Sequence, residues 1–259
     1  MIEHTDNPLI FNMEVNKTKY AALPANARVC PFCDTENLTD LLRTSGDKIW
    51  LKNKFPTIEK SLMTVIIESA EHLGDISTYS LAENREVFRF AFDCWQEMLE
   101  SPKYKSVLMF KNFGPHSGGT LRHPHLQIVG LEEADGYEHI SPENFEGVTV
   151  KKNGVEIVLS TRPIMGFVEF NVIISDLENI NELADKVHGI TEYLLHDYMS
   201  GRCDSYNLFF YKLPENHQYI CKIVPRFITS PYYIGYKIPQ VNKTNRLEEI
   251  AKELDERLD

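Results

Sequence analysis

The 259-residue sequence predicts an α+β fold that consists of two related halves and an N-terminal arm. The main observation is that the order strand, helix, strand, loop, strand occurs twice, as expected after an internal duplication. In addition, 42% of the residues are hydrophobic, enough for a sizeable core, and no apolar run is as long as a membrane span. We therefore predict an N-terminal half at residues 1–147 and a C-terminal half at residues 148–259.

The N-terminal half contains the arm and the first copy of this order. Residues 1–60 are rich in Asn, Pro and Lys and are predicted to be irregular. Ser80 and Glu83 have the spacing of a capping box, and regularly spaced apolar residues follow until Pro102, which predicts a helix. The predicted elements after the arm are a strand at 63–68, a helix at 80–101 and strands at 107–110 and 123–129.

The C-terminal half repeats the order after a hairpin. Asn153-Gly154 lies between two alternating stretches, which is a strong signal for a hairpin turn. The predicted elements after it are a strand at 167–174, an amphipathic helix at 180–194, strands at 206–210 and 219–224, and a C-terminal helix from Asn245.

Charge and cysteine content exclude some classes of function. A formal net charge of −11 argues against non-specific binding to nucleic acid or anionic membranes, although backbone amides can still bind a small phosphorylated ligand. The N-terminus lacks the features of a signal peptide, so we expect a cytoplasmic protein. Of the five cysteines only Cys30 and Cys33 are close in sequence, which argues against a disulfide framework. Their spacing suits half of a tetrahedral zinc site, with a redox pair or two buried thiols as alternatives.

The segment from Lys111 to Gln127 contains the residues on which the functional prediction depends. Its glycines and hydroxylated residues allow the backbone to approach a phosphate closely. His123, His125 and Gln127 then follow at a spacing of two, so that a strand would place all three on one face. A neutral imidazole is a competent nucleophile toward phosphorus when one nitrogen holds the proton and the other has its lone pair.

Asn112-Phe113-Gly114, the small residues after it and His123-Pro124-His125-Leu126-Gln127 resemble a family motif. This motif belongs to the galactose-1-phosphate uridylyltransferase branch of the histidine-triad (HIT-like) superfamily. The resemblance implies a HIT-like fold with two tandem related halves, each with an antiparallel sheet and a helix, and an N-terminal zinc-binding arm. It covers residues 28–130 well and residues 163–235 weakly, and dimers are common among the relatives.

The resemblance also implies roles for individual residues. His125 corresponds to the histidine that becomes nucleotidylated, and Gln127 to the glutamine that binds the phosphate oxygens. The residues implied to bind the nucleotide are Asn53, Phe55, Asn112, Gly114, Gly118 and Thr120. The residues implied to bind a structural Zn²⁺ are Cys30, Cys33, His72 and His123. In the C-terminal half, His217 and Val224-Pro225-Arg226 resemble a degenerate histidine-triad strand, which is expected to bind substrate or to pack and not to catalyse.

These roles imply a nucleotidyltransferase with a covalent nucleotidyl-histidine intermediate. It would transfer a nucleoside monophosphate from a nucleotide sugar to a phosphorylated acceptor such as a hexose 1-phosphate. Gln127 disfavours hydrolysis, because an amide cannot move a proton to activate water. One alternative is a phosphorylase that uses inorganic phosphate on ADP-glucose or a diadenosine polyphosphate. Another is a non-catalytic, zinc-stabilised nucleotide-binding protein.

Overall fold

The computed structural model describes residues 8–12, 14–15, 30–213, 217–227 and 231–258. The strands in these ranges are β1 (Leu41–Ser45), β2 (Lys48–Lys52), β3 (Ser61–Ile67), β4 (Ser106–Phe113), β5 (His125–Leu131), β6 (Gly147–Asn153), β7 (Val155–Ser160), β8 (Phe170–Ile174), β9 (Tyr206–Lys212) and β10 (Tyr219–Pro225). The α-helices are α1 (Leu81–Leu99), α2 (Ile180–His196), α3 (Pro231–Tyr236) and α4 (Thr244–Leu258). None of these helices is both long and apolar enough to cross a membrane.

The chain divides into two compact units whose segments alternate along the sequence. Unit 1 comprises Met1–Leu73, Phe90–Met109 and His123–His139. Unit 2 comprises Gly74–Arg89, Phe110–Arg122 and Ile140–Asp259. The helix α1 and the strand β4 therefore contribute residues to both units. The predicted boundary between residues 147 and 148 stays a prediction.

Unit 1 contains a sheet in the order β1-β2-β3-β5, with the first residues of β4 beside β5. The pairs β1-β2, β2-β3 and β3-β5 are antiparallel, and Ile67 at the end of β3 lies opposite His125 at the start of β5. Most positions of β3 and β5 are buried, because apolar and β-branched residues occupy both faces. Trp50 donates its indole N–H to Thr64 Oγ1 at 2.9 Å, so the polar atom of this core residue is satisfied.

The prediction that residues 1–60 are irregular is wrong for β1 and β2, which form a hairpin. Their connection is the two-residue turn Gly46-Asp47, in which Gly46 has a φ of +61° that glycine adopts without steric cost. All five residues of β1 are exposed, so this strand lacks the alternation that marks a half-buried strand in a sequence. Most of the predicted arm before Cys30 lies outside the described residues.

Unit 2 contains the last residues of β4 followed by β9-β10-β8-β7-β6, and the neighbouring strands from β6 to β10 are antiparallel. β6 and β7 form the hairpin that Asn153-Gly154 predicts. β8 and β10 are buried at every position, and α2 packs against both. The apolar stripe of α2 is buried as predicted and includes Ile180, Leu183, Ala184, Val187, Ile190 and Leu194. The predicted α+β class with antiparallel pairing is confirmed.

A buried ion pair in unit 2 connects β10 to the residue directly before β8. Lys222 in β10 and Glu169, directly before β8, are fully buried, and Nζ lies 2.8 Å from Oε2. Nζ also donates to the Asn144 carbonyl at 2.9 Å and to Ser160 Oγ at 3.0 Å, while the carboxylate accepts two backbone N–H groups. Burial lowers the pKa of Lys222, and the Glu169 carboxylate opposes this shift. Each charge therefore depends on its partner and on these hydrogen bonds.

We expect Lys222→Met to lower the free energy of unfolding by about 3–5 kcal/mol, because it leaves the buried carboxylate of Glu169 without its cation. Urea denaturation followed by circular dichroism measures this change. The double variant Lys222→Met/Glu169→Gln should be more stable than Lys222→Met, because the uncompensated charge is gone. Arg162→Met is the matched control: it removes an exposed ion pair to Glu143 and should cost less than about 1 kcal/mol. A double variant no more stable than Lys222→Met would contradict the prediction.

Candidate functional site

Two cysteines and two histidines of unit 1 form a cluster: Cys30, Cys33, His72 and His123. Their four ligand atoms all lie within 4.8 Å of one another. Cys33 Sγ lies 3.4 Å from Nδ1 of His72 and 3.4 Å from Nδ1 of His123. A tetrahedral zinc site with ordinary bond lengths has S···N separations of about 3.6 Å. The cluster could therefore bind a metal ion, and it consists of the four residues that the sequence resemblance implies.

The pairing of β3 with β5 brings the two histidines of the cluster together. Because the strands are antiparallel, the end of β3 and the start of β5 lie at the same edge of the sheet. The Glu68 N–H donates to the Pro124 carbonyl at 3.2 Å at this edge. His72 follows β3 and His123 precedes β5, so residues that are far apart in sequence approach the same point.

Cys30 and Cys33 lie on a turn that packs against the sheet of unit 1. The Cys33 N–H donates to the Cys30 carbonyl at 3.0 Å, which places the two thiols on the same turn. Phe32, between them, packs against a buried cluster on β2 and β3 that consists of Ile49, Leu51, Val65 and Ile67. Its ring also makes edge contacts with His123 and His125, with centroid distances of 5.9 Å and 5.5 Å. Phe32 therefore restricts both imidazoles, a role that its sequence position alone does not indicate.

His123 is fully buried, and its two ring nitrogens have different partners. Nε2 lies 2.9 Å from the Ser69 carbonyl and must be the protonated nitrogen, because a carbonyl only accepts. Nδ1 then has its lone pair towards Cys33 Sγ, as a metal ligand requires. The expectation that His123 lies within a strand is wrong, since β5 begins at His125. Pro124 has no N–H group with which to extend the pairing.

The electrostatics of the thiol pair favour a cation at the cluster. Partial desolvation raises the pKa of Cys33, although the residue is exposed, and the neighbouring Cys30 raises it further because two adjacent thiolates repel one another. A bound metal ion offsets this repulsion and takes both sulfurs as thiolates. Cys94, Cys203 and Cys221 are buried elsewhere, and burial raises the pKa of each of these thiols.

His125 is the first residue of β5 and is 8% exposed. Its Nδ1 lies 2.8 Å from the backbone carbonyl of His123, so Nδ1 holds the proton of the neutral ring. The lone pair is consequently on Nε2. Two positions further along β5, the half-buried Gln127 lies opposite Val65 of β3.

Asn53 and Phe55, also in unit 1, follow β2. The Asn53 N–H donates to the Met63 carbonyl at 2.8 Å, and Asn53 Oδ1 accepts the Phe55 N–H at 2.9 Å. This Asx turn fixes the direction of the segment. The amide nitrogen of Asn53 and the half-buried ring of Phe55 are the groups with which a ligand could interact.

The glycine-rich loop after β4 belongs to unit 2, as does β9. Gly114 and Gly118 have φ angles of +83° and +87°. A side chain at Gly114 would overlap Asp204 and Ser205, so only glycine fits there. Ser117 Oγ donates to the Gly114 carbonyl at 2.7 Å and so fixes the turn between them.

Asn112 lies near the end of β4, just before this loop, and Thr120 lies within the loop. Asn112 Oδ1 accepts a hydrogen bond from Asn207 Nδ2 of β9 at 2.6 Å, which leaves Nδ2 of Asn112 as a donor for a ligand. Thr120 is exposed. His116, also on the loop, has an exposed side chain that lies 3.9 Å from the Asp204 carboxylate. Asn112, near the end of β4, and Gly114 and Gly118, in the loop that follows, thus belong to one segment of unit 2.

Comparison with known proteins identifies a family. Models of the N-terminal and C-terminal domains of DUF4931, described as a domain of unknown function, match residues 11–134 and 137–258. The solved structure of a DUF4931 family protein from Bacillus cereus ATCC 10987 is 44% identical to this chain, with a TM-score of 0.76. That match covers 84% of this chain and 99% of the Bacillus protein.

Relatives whose names state an activity are more distant. A galactose-1-phosphate uridylyltransferase from Streptomyces lividans is 30% identical over 105 residues, which span 38% of this chain and only 28% of that protein. The solved structure of a uridylyltransferase has a TM-score of 0.68 at 16% identity and covers 91% of this chain and 92% of that one. The structure of an ADP-glucose phosphorylase from Arabidopsis thaliana with bound ADP-glucose has a TM-score of 0.65 at 15% identity, with 96% and 98% covered.

At these low identities the two enzyme structures are evidence for the fold alone. They agree with the sequence motif, so the resemblance to the galactose-1-phosphate uridylyltransferase branch of the histidine-triad superfamily is confirmed, and with it the HIT-like fold. The two family models together span most of the chain, and the Bacillus cereus relative matches over almost its full length. The chain therefore belongs to the DUF4931 family.

Proposed function

We propose that this protein is a nucleotidyltransferase that forms a covalent nucleotidyl-histidine at His125. It would transfer a nucleoside monophosphate from a nucleotide sugar to a phosphorylated acceptor such as a hexose 1-phosphate. The main support is the hydrogen bond from His125 Nδ1 to the His123 carbonyl, because it puts the lone pair of the ring on Nε2. The relatives with named activities, a uridylyltransferase and an ADP-glucose phosphorylase, support the same class of reaction.

The proposed reaction has two steps. In the first, His125 Nε2 attacks the α-phosphorus of the nucleotide sugar, a P–N bond forms, and the P–O bond to the sugar phosphate breaks, so that the sugar 1-phosphate leaves with the electron pair. In the second, a phosphate oxygen of the acceptor attacks the same phosphorus, a P–O bond forms and the P–N bond breaks. The Nδ1–H bond to the His123 carbonyl stabilises the positive charge on the ring in the intermediate.

Gln127 is proposed to bind the phosphoryl oxygens. A well-placed amide donor stabilises the charge that develops there by on the order of 3 kcal/mol. The same amide cannot accept a proton from water and pass it on, so it does not promote hydrolysis. A phosphate dianion needs no general base to act as the acceptor, and Gln127 therefore favours transfer.

The proposed nucleotide-binding residues are Asn53, Phe55, Asn112, Gly114, Gly118 and Thr120. In unit 1, the Asx turn at Asn53 orients the half-buried Phe55 ring, which offers an apolar face to a base. In unit 2, the positive φ angles of Gly114 and Gly118 give the loop the kind of backbone that approaches phosphate closely.

We propose further that Cys30, Cys33, His72 and His123 bind a structural Zn²⁺. Two thiolates and two imidazoles suit zinc better than calcium or magnesium, which prefer oxygen ligands. Four protein ligands complete a tetrahedral site, so no position remains for substrate. The ion would hold His123, whose backbone carbonyl accepts a hydrogen bond from His125 Nδ1–H.

Incubation with UDP-glucose or ADP-glucose should give an acid-labile adduct whose mass, measured on the intact protein, identifies the nucleotide. His125→Ala should lower the rate of transfer by at least about 10³-fold, because it removes the attacking nitrogen. His196→Ala changes an exposed histidine at the end of α2 and serves as the control that keeps the adduct. An undiminished adduct on His125→Ala would refute the assignment. Tight nucleotide binding without any adduct would favour the non-catalytic alternative.

The isolated adduct should react with galactose 1-phosphate or glucose 1-phosphate at least about 10²-fold faster than with water, because Gln127 provides no base. Mass spectrometry of the products formed with hexose 1-phosphate, inorganic phosphate or buffer alone measures the preference. Transfer to inorganic phosphate alone would identify a phosphorylase instead. Rapid loss of the adduct in buffer would contradict the proposed role of Gln127.

Elemental analysis of the purified protein should find about one zinc ion per chain. Cys33→Ala should lose this zinc and should have a lower melting temperature. Cys94→Ala is the control and should keep its metal, because burial raises the pKa of Cys94 to about 12 and disfavours a thiolate there. Stoichiometric zinc in Cys33→Ala would show that the cluster is not the metal site.

A further inference from the structure

The glycine-rich loop of unit 2 is joined to β9 by a buried amide. Asn207 is 2% exposed, and its Nδ2 donates to Asn112 Oδ1 at 2.6 Å and to the Ser117 carbonyl at 3.1 Å. One side chain thus joins Asn112 of β4 to Ser117 of the loop. Gly114, between them, lies against Ser205, directly before β9. The conformation of the loop therefore depends on residues of the C-terminal half.

Arg226, directly after β10, donates hydrogen bonds to two residues that contact the loop, Asn207 and Ser205. Its Nη1 donates to Asn207 Oδ1 at 3.0 Å, which fixes the orientation of that amide. Its backbone N–H donates to the Ser205 carbonyl at 2.7 Å, and Ser205 Oγ accepts the backbone N–H of His116 in the loop at 3.1 Å. The guanidinium is consequently separated from Asn112 by a single hydrogen-bonded residue.

The surroundings of the Arg226 charge differ from those of Lys111, a cation of β4 just before the loop. Lys111 is buried, and its Nζ lies 3.5 Å from the buried carboxylate of Asp75, which balances the charge. The half-buried guanidinium of Arg226 contacts Asn207 Oδ1 and Met165 Sδ, both of them neutral. In the described part of the chain no carboxylate lies within ion-pair distance of it.

We propose that Arg226 binds a phosphate group of the ligand at this loop. The planar guanidinium presents paired donors that match two phosphate oxygens. This positive charge lies beside a loop whose backbone suits phosphate, in a protein whose net charge is −11. Asn112 contributes a second donor, its Nδ2, because Asn207 already occupies Oδ1.

This inference rests on the proposed function for the nature of the ligand. The phosphate belongs either to the nucleotide sugar or to the phosphorylated acceptor, and its oxygens present the same chemistry to Arg226 in both cases. The inference gives the C-terminal half a direct part in ligand binding. It also assigns a role to the Val224-Pro225-Arg226 segment. The proposed attack by His125 does not use any residue of that segment.

The test measures binding without chemistry, in a His125→Ala background, by isothermal titration calorimetry with UDP-glucose, ADP-glucose and inorganic phosphate. Arg226→Met should raise the Kd of the probe whose phosphate it binds by about 10- to 100-fold, the cost of a charge-assisted hydrogen bond. A loss confined to the nucleotide sugars assigns the phosphate to the donor, and a loss confined to inorganic phosphate assigns it to the acceptor.

Three further variants separate charge from structure. Arg226→Gln keeps an amide donor for Asn207 but removes the charge, and it should raise the Kd as much as Arg226→Met does. It also tests the charge if Arg226→Met fails to fold. Arg226→Lys keeps the charge and should raise the Kd by less than about 10-fold. Arg162→Met, which removes an exposed arginine paired with Glu143, should leave the Kd unchanged.

Two outcomes overturn the inference. If the probes bind the Arg226→Gln protein as tightly as its parent, Arg226 does not bind phosphate, while the adduct measured with native His125 still decides the proposed function. If no probe binds the His125→Ala parent, the inference fails together with the nucleotide-binding part of the proposed function.

Discussion

The hydrogen bond from His125 Nδ1 to the backbone carbonyl of His123 determines what this imidazole is able to do. It selects one tautomer of the ring and thereby puts the lone pair on Nε2. The accepting carbonyl is itself well positioned, because the His123 ring lies between the Ser69 carbonyl and Cys33 Sγ. The turn from Cys30 to Cys33, the end of β3 and the start of β5 therefore depend on one another, although Cys33 and His123 are 90 positions apart in the sequence.

Unit 2 contains buried and half-buried cations in two kinds of environment. Lys222 faces Glu169 and Lys111 faces Asp75, so both lysines hold strands of the sheet without presenting charge to a ligand. Tyr206 also donates to Asp75, at 2.8 Å from Oδ2, and Ser77 donates to the same oxygen through its backbone N–H and its Oγ. Arg226 differs from these lysines because it contacts neutral groups, and its proposed role depends on this difference.

Local sequence patterns predicted the features that depend on residues close together in the sequence, such as helices and turns, and little else. The apolar stripe of α2 and the hairpin at Gly154 are confirmed, because helical periodicity and turn chemistry act over a few residues. The family resemblance, and not spacing, supplied the set of four clustered ligands. Phe32 and Asn207 could not be predicted, since their partners are defined only once distant strands have paired. The cytoplasmic location and a homodimer, which is common among the relatives, stay predictions.

Cys33 is exposed to solvent, whereas the imidazole of His123 that it faces is fully buried. Chelators and thiol-modifying reagents can therefore reach the proposed metal site from the cysteine side without entering the core. Such reagents would loosen the backbone that sets the tautomer of His125 while the rest of the sheet stayed folded. If the protein has the proposed activity, exposure to such a reagent during purification would then abolish it without unfolding the chain.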